Sequence, residues 1–420
     1  MSLLRQLSVA FFFLAAAVSG QHDPYQVDEE YDDEGGDAHS PAFYFRADRD
    51  DDDDDEASAR PSPFGCAAEC FCPLAFPTAM YCDNRQLKTV PTIPPHIQQV
   101  YLQFNDIEAV SSRSFANATG LREIHLGHNK IRSPKMERDA FGALRSLRQL
   151  HLDHNGLEDF PGPLPGSVES LLLGHNEISR VAEHALRALP NLTTLDLGHN
   201  RLHDASFKGT LSQSANLRQL NLGSNRLRSL PPWLPPSLLQ LSLENNSVAL
   251  VPDKYFQRFP NLLALRISHN QLRDVPYDVF NVSSLVELHA GHNRLRRAFY
   301  VPRSLEHLYL EGNEMEHINV SLMCPSVDPL HYHRLTYLRL DQNRLQEPIG
   351  SSVFSCFPYI HSIYYGEQRR PDGQTVHLKT QLFRSFRADD EEEEDAEGRD
   401  PEGQEPAGPA EDPYLDPSFY

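Results

Sequence analysis

Eleven asparagines recur along this chain inside one frame of leucines: Asn105, Asn129, Asn155, Asn176, Asn200, Asn225, Asn246, Asn270, Asn293, Asn313 and Asn343. The stretch Leu147 to Leu157, LRQLHLDHNGL, shows the frame, with leucines at relative positions 1, 4, 6 and 11 and asparagine at 9. The asparagines are spaced 20 to 30 residues apart. A repeat of this kind limits the possible folds more than any other feature of the chain. Leu150 and Leu152 lie two apart, so on a strand they share one face, and that face must be buried. Gln149, His151 and Asp153 point the other way. Asn155 follows where the chain leaves the strand, and its amide can pair backbone groups that the turn would otherwise orphan. One unit cannot bury its own leucines. Stacked units can, with parallel strands about 4.8 Å apart.

The frame matches the leucine-rich repeat. The expected fold is an α/β-type leucine-rich-repeat solenoid with a curved parallel β-sheet. Its convex side consists mostly of 3-10 and polyproline segments, both ends are disulfide-capped, and acidic disordered tails flank it. Short repeats recur every third unit and carry proline-rich returns: PGPLPGSV (161–168), PPWLPPSL (231–238) and VPRSL (301–305). Proline fixes φ, so these returns should be extended. Longer returns such as FGALRSL (141–147) and FQRFPNL (256–262) supply a Phe or Leu to plug the convex side. The 30-residue unit ending at Asn343 should bulge outward. Ile360, Ile363 and Tyr365 read as a last strand, with Gln368 where the asparagine belongs.

The domains follow from this frame. Residues 1–20 read as a signal peptide: Arg5, an apolar core from Val9 to Val18, and a small-residue end at Val18-Ser19-Gly20. That core is too short to span a bilayer, and no later stretch approaches 18 apolar residues, so no membrane insertion is expected. Residues 21–63 form an acidic Tyr- and Asp-rich tail, 64–96 a Cys-rich cap, and 97–370 the repeats with their bulged "ear" and terminal cap. A flank follows at 371–386 and a second acidic tail at 387–420. Localisation is expected to be secreted, in the extracellular matrix.

The net charge of −21 hides an uneven distribution. Residues 21–63 hold 16 acidic and 3 basic side chains, and residues 387–420 hold 14 and 2. The span 64–386 between them is positive by three charges. Few aliphatics and many charges predict disorder in both tails. Tyr25, Tyr31 and Tyr44 stand among acids, and Tyr25 and Tyr31 are candidate sulfotyrosines. The run Asp50, Asp51, Asp52, Asp53, Asp54 and Asp55 is a candidate diffuse calcium or mineral site, as is Asp389 to Asp395, because hard cations take oxygen ligands.

Six cysteines in a secreted chain point to disulfides rather than zinc. Cys66, Cys70, Cys72 and Cys82 precede the repeats, and spacing alone leaves three pairings for them. Cys324 and Cys356 lie at the far end. Five N-x-S/T sites, Asn117, Asn191, Asn245, Asn281 and Asn319, are candidate N-glycosylation positions. No Ser-Gly dipeptide follows the signal, which argues against xylose-linked glycosaminoglycans.

The cap reads C-x3-C-x-C-x9-C, and with the short-long-long rhythm and the ear it resembles the small leucine-rich proteoglycans, in the subclass of fibromodulin, lumican and keratocan. FPTAMYCDNR (76–85) is similar to that subclass's cap signature. HIQQVYLQFNDIEAV (96–110), LSLENNSV (241–248), the stretch 324–349 and IYYGEQR (363–369) are similar to a member of bone and tooth matrix. The resemblance implies disulfides Cys66–Cys72, Cys70–Cys82 and Cys324–Cys356. It implies keratan sulfate or plain N-glycans on the asparagines, and a concave face that binds fibrillar collagen. It also implies attachment of osteoblasts through an integrin. The chain has no Arg-Gly-Asp, only Gly398-Arg399-Asp400, so an integrin has no visible motif here.

No phosphate loop, nucleophile elbow or zinc-protease motif is present, so neither an enzyme nor a cofactor is expected. The leading reading is a matrix adaptor that binds fibrillar collagen through outward strand residues, His151, Arg266, Tyr309 and Arg339 chief among them, and hydroxyapatite or calcium through its tails. Nucleic acid is not an expected partner, and the sequence leaves a homodimer through the sheet faces open. The alternative is a soluble leucine-rich recognition module that sequesters basic growth factors or other signalling proteins. One pattern belongs to neither reading. Histidine directly precedes the repeat asparagine at His128, His154, His175, His199, His269 and His292, so imidazoles should stack along a rim.

Overall fold

The computed structural model describes residues 65–378, apart from 183, 208, 326–329 and 371–372. Tyr25, Tyr31, Asp50 to Asp55, the signal segment and the acidic tail from 387 lie outside the described residues.

Each repeat contributes a three-residue strand whose middle residue points inward. Leu150 aligns with Ile124 on one side and Leu171 on the other, and all three are fully buried. Thirteen such strands run parallel in sequence order, from Ala79–Tyr81 to Ser362–Tyr364. The first belongs to the Cys-rich cap, which therefore extends the sheet as well as covering its end. Met80 and Cys82 there take the buried places that leucines hold elsewhere.

The asparagines explain why the repeat tolerates so little change. Asn270 Nδ2 donates to the carbonyls of Leu243, Ile267 and Ser268 at 2.9–3.1 Å, and its Oδ1 accepts from Val248 N at 2.9 Å. One amide thus satisfies backbone groups of two successive units in a dry interior, where an unpaired group would cost about 1–3 kcal/mol. Gln368 does the same work at the end, donating to Leu340 and Tyr365 carbonyls and accepting from Leu345 N.

On the convex side, Phe256 stacks on Phe280 and Phe280 packs on Phe299. Short 3-10 turns occur in several longer returns, including Ser112–Phe115 and Phe256–Arg258. The ear carries a short helix, Val320–Met323, and a second follows at Ser352–Cys356. The structure pairs Cys66 with Cys72, Cys70 with Cys82, and Cys324 with Cys356. The boundary expected at 370 divides a hairpin: Glu367–Arg369 pairs antiparallel with Thr375–His377, so the terminal cap runs into the flank. No helix among the described residues is long and apolar enough to cross a membrane.

Candidate binding face

Pleating sends the first and third residues of every strand to the concave surface. Register lines the third positions up in one column: Tyr81, Tyr101, His125 and His151 at one end, and Arg266, His289, Tyr309, Arg339 and Tyr364 at the other. Leu172, Asp196, Asn221 and Ser242 lie between. Of the four residues singled out from sequence, Arg266, Tyr309 and Arg339 therefore share one patch, and His151 sits in another.

The two patches differ in chemistry. At the N-terminal end ring packs on ring: Tyr81 stacks on Tyr101 at 4.8 Å, Tyr101 lies tilted against His125 at 4.8 Å, and His125 lies tilted against His151 at 4.0 Å. Burial pushes the His125 imidazole down to about 4 and, with the neighbouring His125, His151 down to about 3. Both rings are neutral at pH 7, so this patch is an aromatic, uncharged strip. His125 Nε2 is buried with no hydrogen-bond partner among the described residues.

The C-terminal patch mixes rings with ions. His289 stacks on Tyr309 at 4.0 Å, and Tyr337 lies beside Tyr309 and Tyr364. Arg266 reaches Glu287 at 3.4 Å, and His289 also bonds that carboxylate. Burial alone would raise Glu287, but the His289 bond and charge, aided by Arg266, hold it well below the usual carboxylate range. Arg339 binds Asp341 through Nε at 2.8 Å and Nη2 at 3.2 Å. Both arginines are thus matched by carboxylates of their own chain. The Arg266 pair is not legible in the sequence, because Glu287 lies 21 residues from Arg266 and meets it only through the parallel register. Glu311 Oε2, on the same surface, is buried and has no hydrogen-bond partner among the described residues, and burial raises its carboxyl. Asp196 turns aside as well. Its carboxylate accepts from Gly198 N at 2.8 Å instead of facing a partner.

Sequence reading also misses Tyr81 and Tyr101 as members of the strip. The signal is the alternation Met80-Tyr81-Cys82, in which cysteine stands in for leucine. Asn117, Asn191, Asn245, Asn281 and Asn319 are all exposed. Asn245 has a left-handed backbone at φ 50°, and Asn319 caps the ear helix by accepting from Leu322 N.

Comparison with known proteins agrees with this architecture. The leucine rich repeat model matches residues 95–157, 166–227 and 236–295, and the leucine rich repeat N-terminal domain matches 65–94. Osteomodulin from Bos taurus is 55% identical over 387 residues, which cover 92% of this chain and 91% of that protein. Keratocan from Bos taurus is 42% identical over 311 residues, covering 71% of this chain and 88% of that protein. Among solved structures, a chain of the octameric complex of Latrophilin 3, Unc5D and FLRT2 (LRR) superposes with a TM-score of 0.57 at 24% identity. It covers 72% of this chain and 85% of that one, a likeness of fold alone.

Proposed function

The chain belongs to the osteomodulin group of the small leucine-rich proteoglycans, which are secreted, non-enzymatic extracellular-matrix proteins, and from that premise we propose that it joins fibrillar collagen to mineral. The concave face is the collagen-binding element in this reading. The observation that carries it is the column Arg266, His289, Tyr309 and Arg339, bordered by Glu311 Oε2, which has no hydrogen-bond partner among the described residues. Tyr and Arg are the residue types that dominate binding energy at protein interfaces. A buried polar atom without a partner gains most when a ligand supplies one. A rod with regularly spaced carbonyls and charges suits a long strip of this kind, and His151 with its packed neighbours gives the rod an apolar second contact.

The two acidic tails are the mineral-binding elements. Asp50 to Asp55 and Asp389 to Asp395 offer carboxylate oxygens, which calcium prefers. Sulfation of Tyr25 and Tyr31 would add to that charge, and glycans on the five exposed asparagines would project into solvent. The test is solid-phase binding of full-length and tail-deleted protein to collagen and hydroxyapatite in parallel. Tail deletion should abolish hydroxyapatite adsorption and spare collagen binding. Adsorption that survives deletion sinks the mineral assignment, and collagen binding that disappears with the tails sinks the concave one.

A further inference from the structure

The histidine row has a structural cause. His128, His154, His175 and His199 all have left-handed backbone, with φ of 50–53°. The next repeat pins each turn; His128 N, for example, donates to Asp153 O at 3.0 Å. Held at strand spacing, the rings stack with centroids 3.9, 4.0 and 3.9 Å apart and planes within 12°. Phe104 closes the stack at 4.4 Å from His128.

One place in the row differs from the rest. The residue just before each histidine is glycine at 127, 174 and 198, but it is Asp153 before His154. The Asp153 carboxylate leans over the preceding repeat into room that Gly127 leaves. A Cβ at Gly127 would lie 2.9–3.1 Å from it. A ring nitrogen of His128, a ring nitrogen of His154 and a carboxylate oxygen of Asp153 then lie within 4.8 Å of one another. We propose that His128, Asp153 and His154 bind a borderline divalent transition-metal ion, of which zinc is the representative.

The chemistry suits such an ion. Imidazole nitrogen and carboxylate oxygen are ordinary zinc ligands at about 2.0–2.2 Å, so donors round a tetrahedral ion stand roughly 3.4 Å apart. Imidazole donates through a lone pair in the ring plane, so the two stacked rings must tilt toward each other, and the carboxylate turn, to bring the three atoms round one ion. His128 is exposed and the other two are half-buried. Ligand imidazoles must be neutral. Three protein donors leave a coordination position toward water, open to a donor from another molecule.

The rest of the row lacks this combination. His175 and His199 have Gly174 and Gly198 beside them, and Asp196 is engaged by Gly198 N. His269 and His292 stack at 4.2 Å with Ser268 and Gly291 beside them. The site is therefore singular in a row of similar histidines, which makes it testable.

Zinc chloride is titrated calorimetrically into the full chain, the wild type against Asp153→Asn, His154→Gln and His199→Gln. Cobalt(II) absorption serves as the second readout, because six-coordinate cobalt held by carboxylates and water in the acidic tails gives weak bands and a four-coordinate site gives strong ones. The wild type should show one ion above the weak background and a strong cobalt band. Asp153→Asn and His154→Gln should each weaken that ion at least tenfold and remove the band, with melting temperatures unchanged without metal, and His199→Gln should leave both intact. Three results overturn the proposal: no binding above background in the wild type, equal binding in Asp153→Asn and His154→Gln, or a loss in His199→Gln as large as in His154→Gln.

Discussion

Arg339 grips Asp341 two residues along its own repeat, with Nε on one carboxylate oxygen and Nη2 on the other. The pair is partly exposed, so it contributes little to stability beyond orienting the guanidinium. Its effect on recognition is larger, because a held guanidinium loses less freedom on binding. Arg339→Ala should weaken collagen binding about tenfold, or about 1.4 kcal/mol. Asp341→Asn leaves the cation in place and should change affinity by less than about threefold. Surface plasmon resonance on immobilised collagen separates them. If Asp341→Asn loses as much as Arg339→Ala, the partner reads the clamped pair and not the cation.

The imidazole pair His125 and His151 makes stability depend on pH. An unfolded histidine titrates near 6.5, while in the fold burial holds these two at about 4 and about 3. As pH falls below 6.5 the unfolded chain takes up protons that the folded chain refuses. Stability contributed by the neutral rings is therefore complete above pH 6.5 and declines until the folded values are reached. Between pH 6.5 and 5 the decline is on the order of 2 kcal/mol per ring. The double variant His125→Gln, His151→Gln should lose less stability across that interval than the wild type, measured as urea midpoints at the two pH values. Parallel declines would remove these rings from the account.

Asn270 provides the test of the repeat itself. Its amide makes three donor contacts and one acceptor contact, all to backbone. Asn270→Ala leaves several of those groups dry and unpaired, at a cost of roughly 3 kcal/mol or more. Thermal unfolding should show the largest loss of any exposed-to-buried pair at this repeat, far above that of the adjacent His269→Ala, which removes only a ring from a two-membered stack. Equal losses would mean that the asparagine is a sequence habit and not a structural requirement.

These residues also mark how far the sequence can be read. Asn270 and Leu265 are legible because a strand has period 2 and the repeat returns the same chemistry eleven times. The stack of His128 on His154 follows from the same register. What the letters hide is contact across repeats between unlike residues. Glu287 beside Arg266, and Asp153 leaning into the space over Gly127, depend on side-chain direction and on which neighbour lacks a Cβ. The cap strand Ala79–Tyr81 is hidden for a different reason: Cys82 replaces the leucine that would have advertised it.

The Cys324–Cys356 bridge tests whether this solenoid unfolds as one body. It closes a separation of 32 residues round the ear, for which loop entropy gives about 3.7 kcal/mol. In a stack where each unit touches only its neighbours, that loss should stay near the end that suffers it. The double variant Cys324→Ser, Cys356→Ser should therefore lose hydrogen-exchange protection first at Leu345 N, which donates to Gln368 Oε1. Val248 N, which donates to Asn270 in the middle of the sheet, should keep its protection. Both cysteines are nearly buried, so two hydroxyls placed there weaken the packing further in the same direction. Protection lost evenly at Leu345 and Val248 would show that the thirteen strands unfold together and that the ear bridge stabilises the whole sheet.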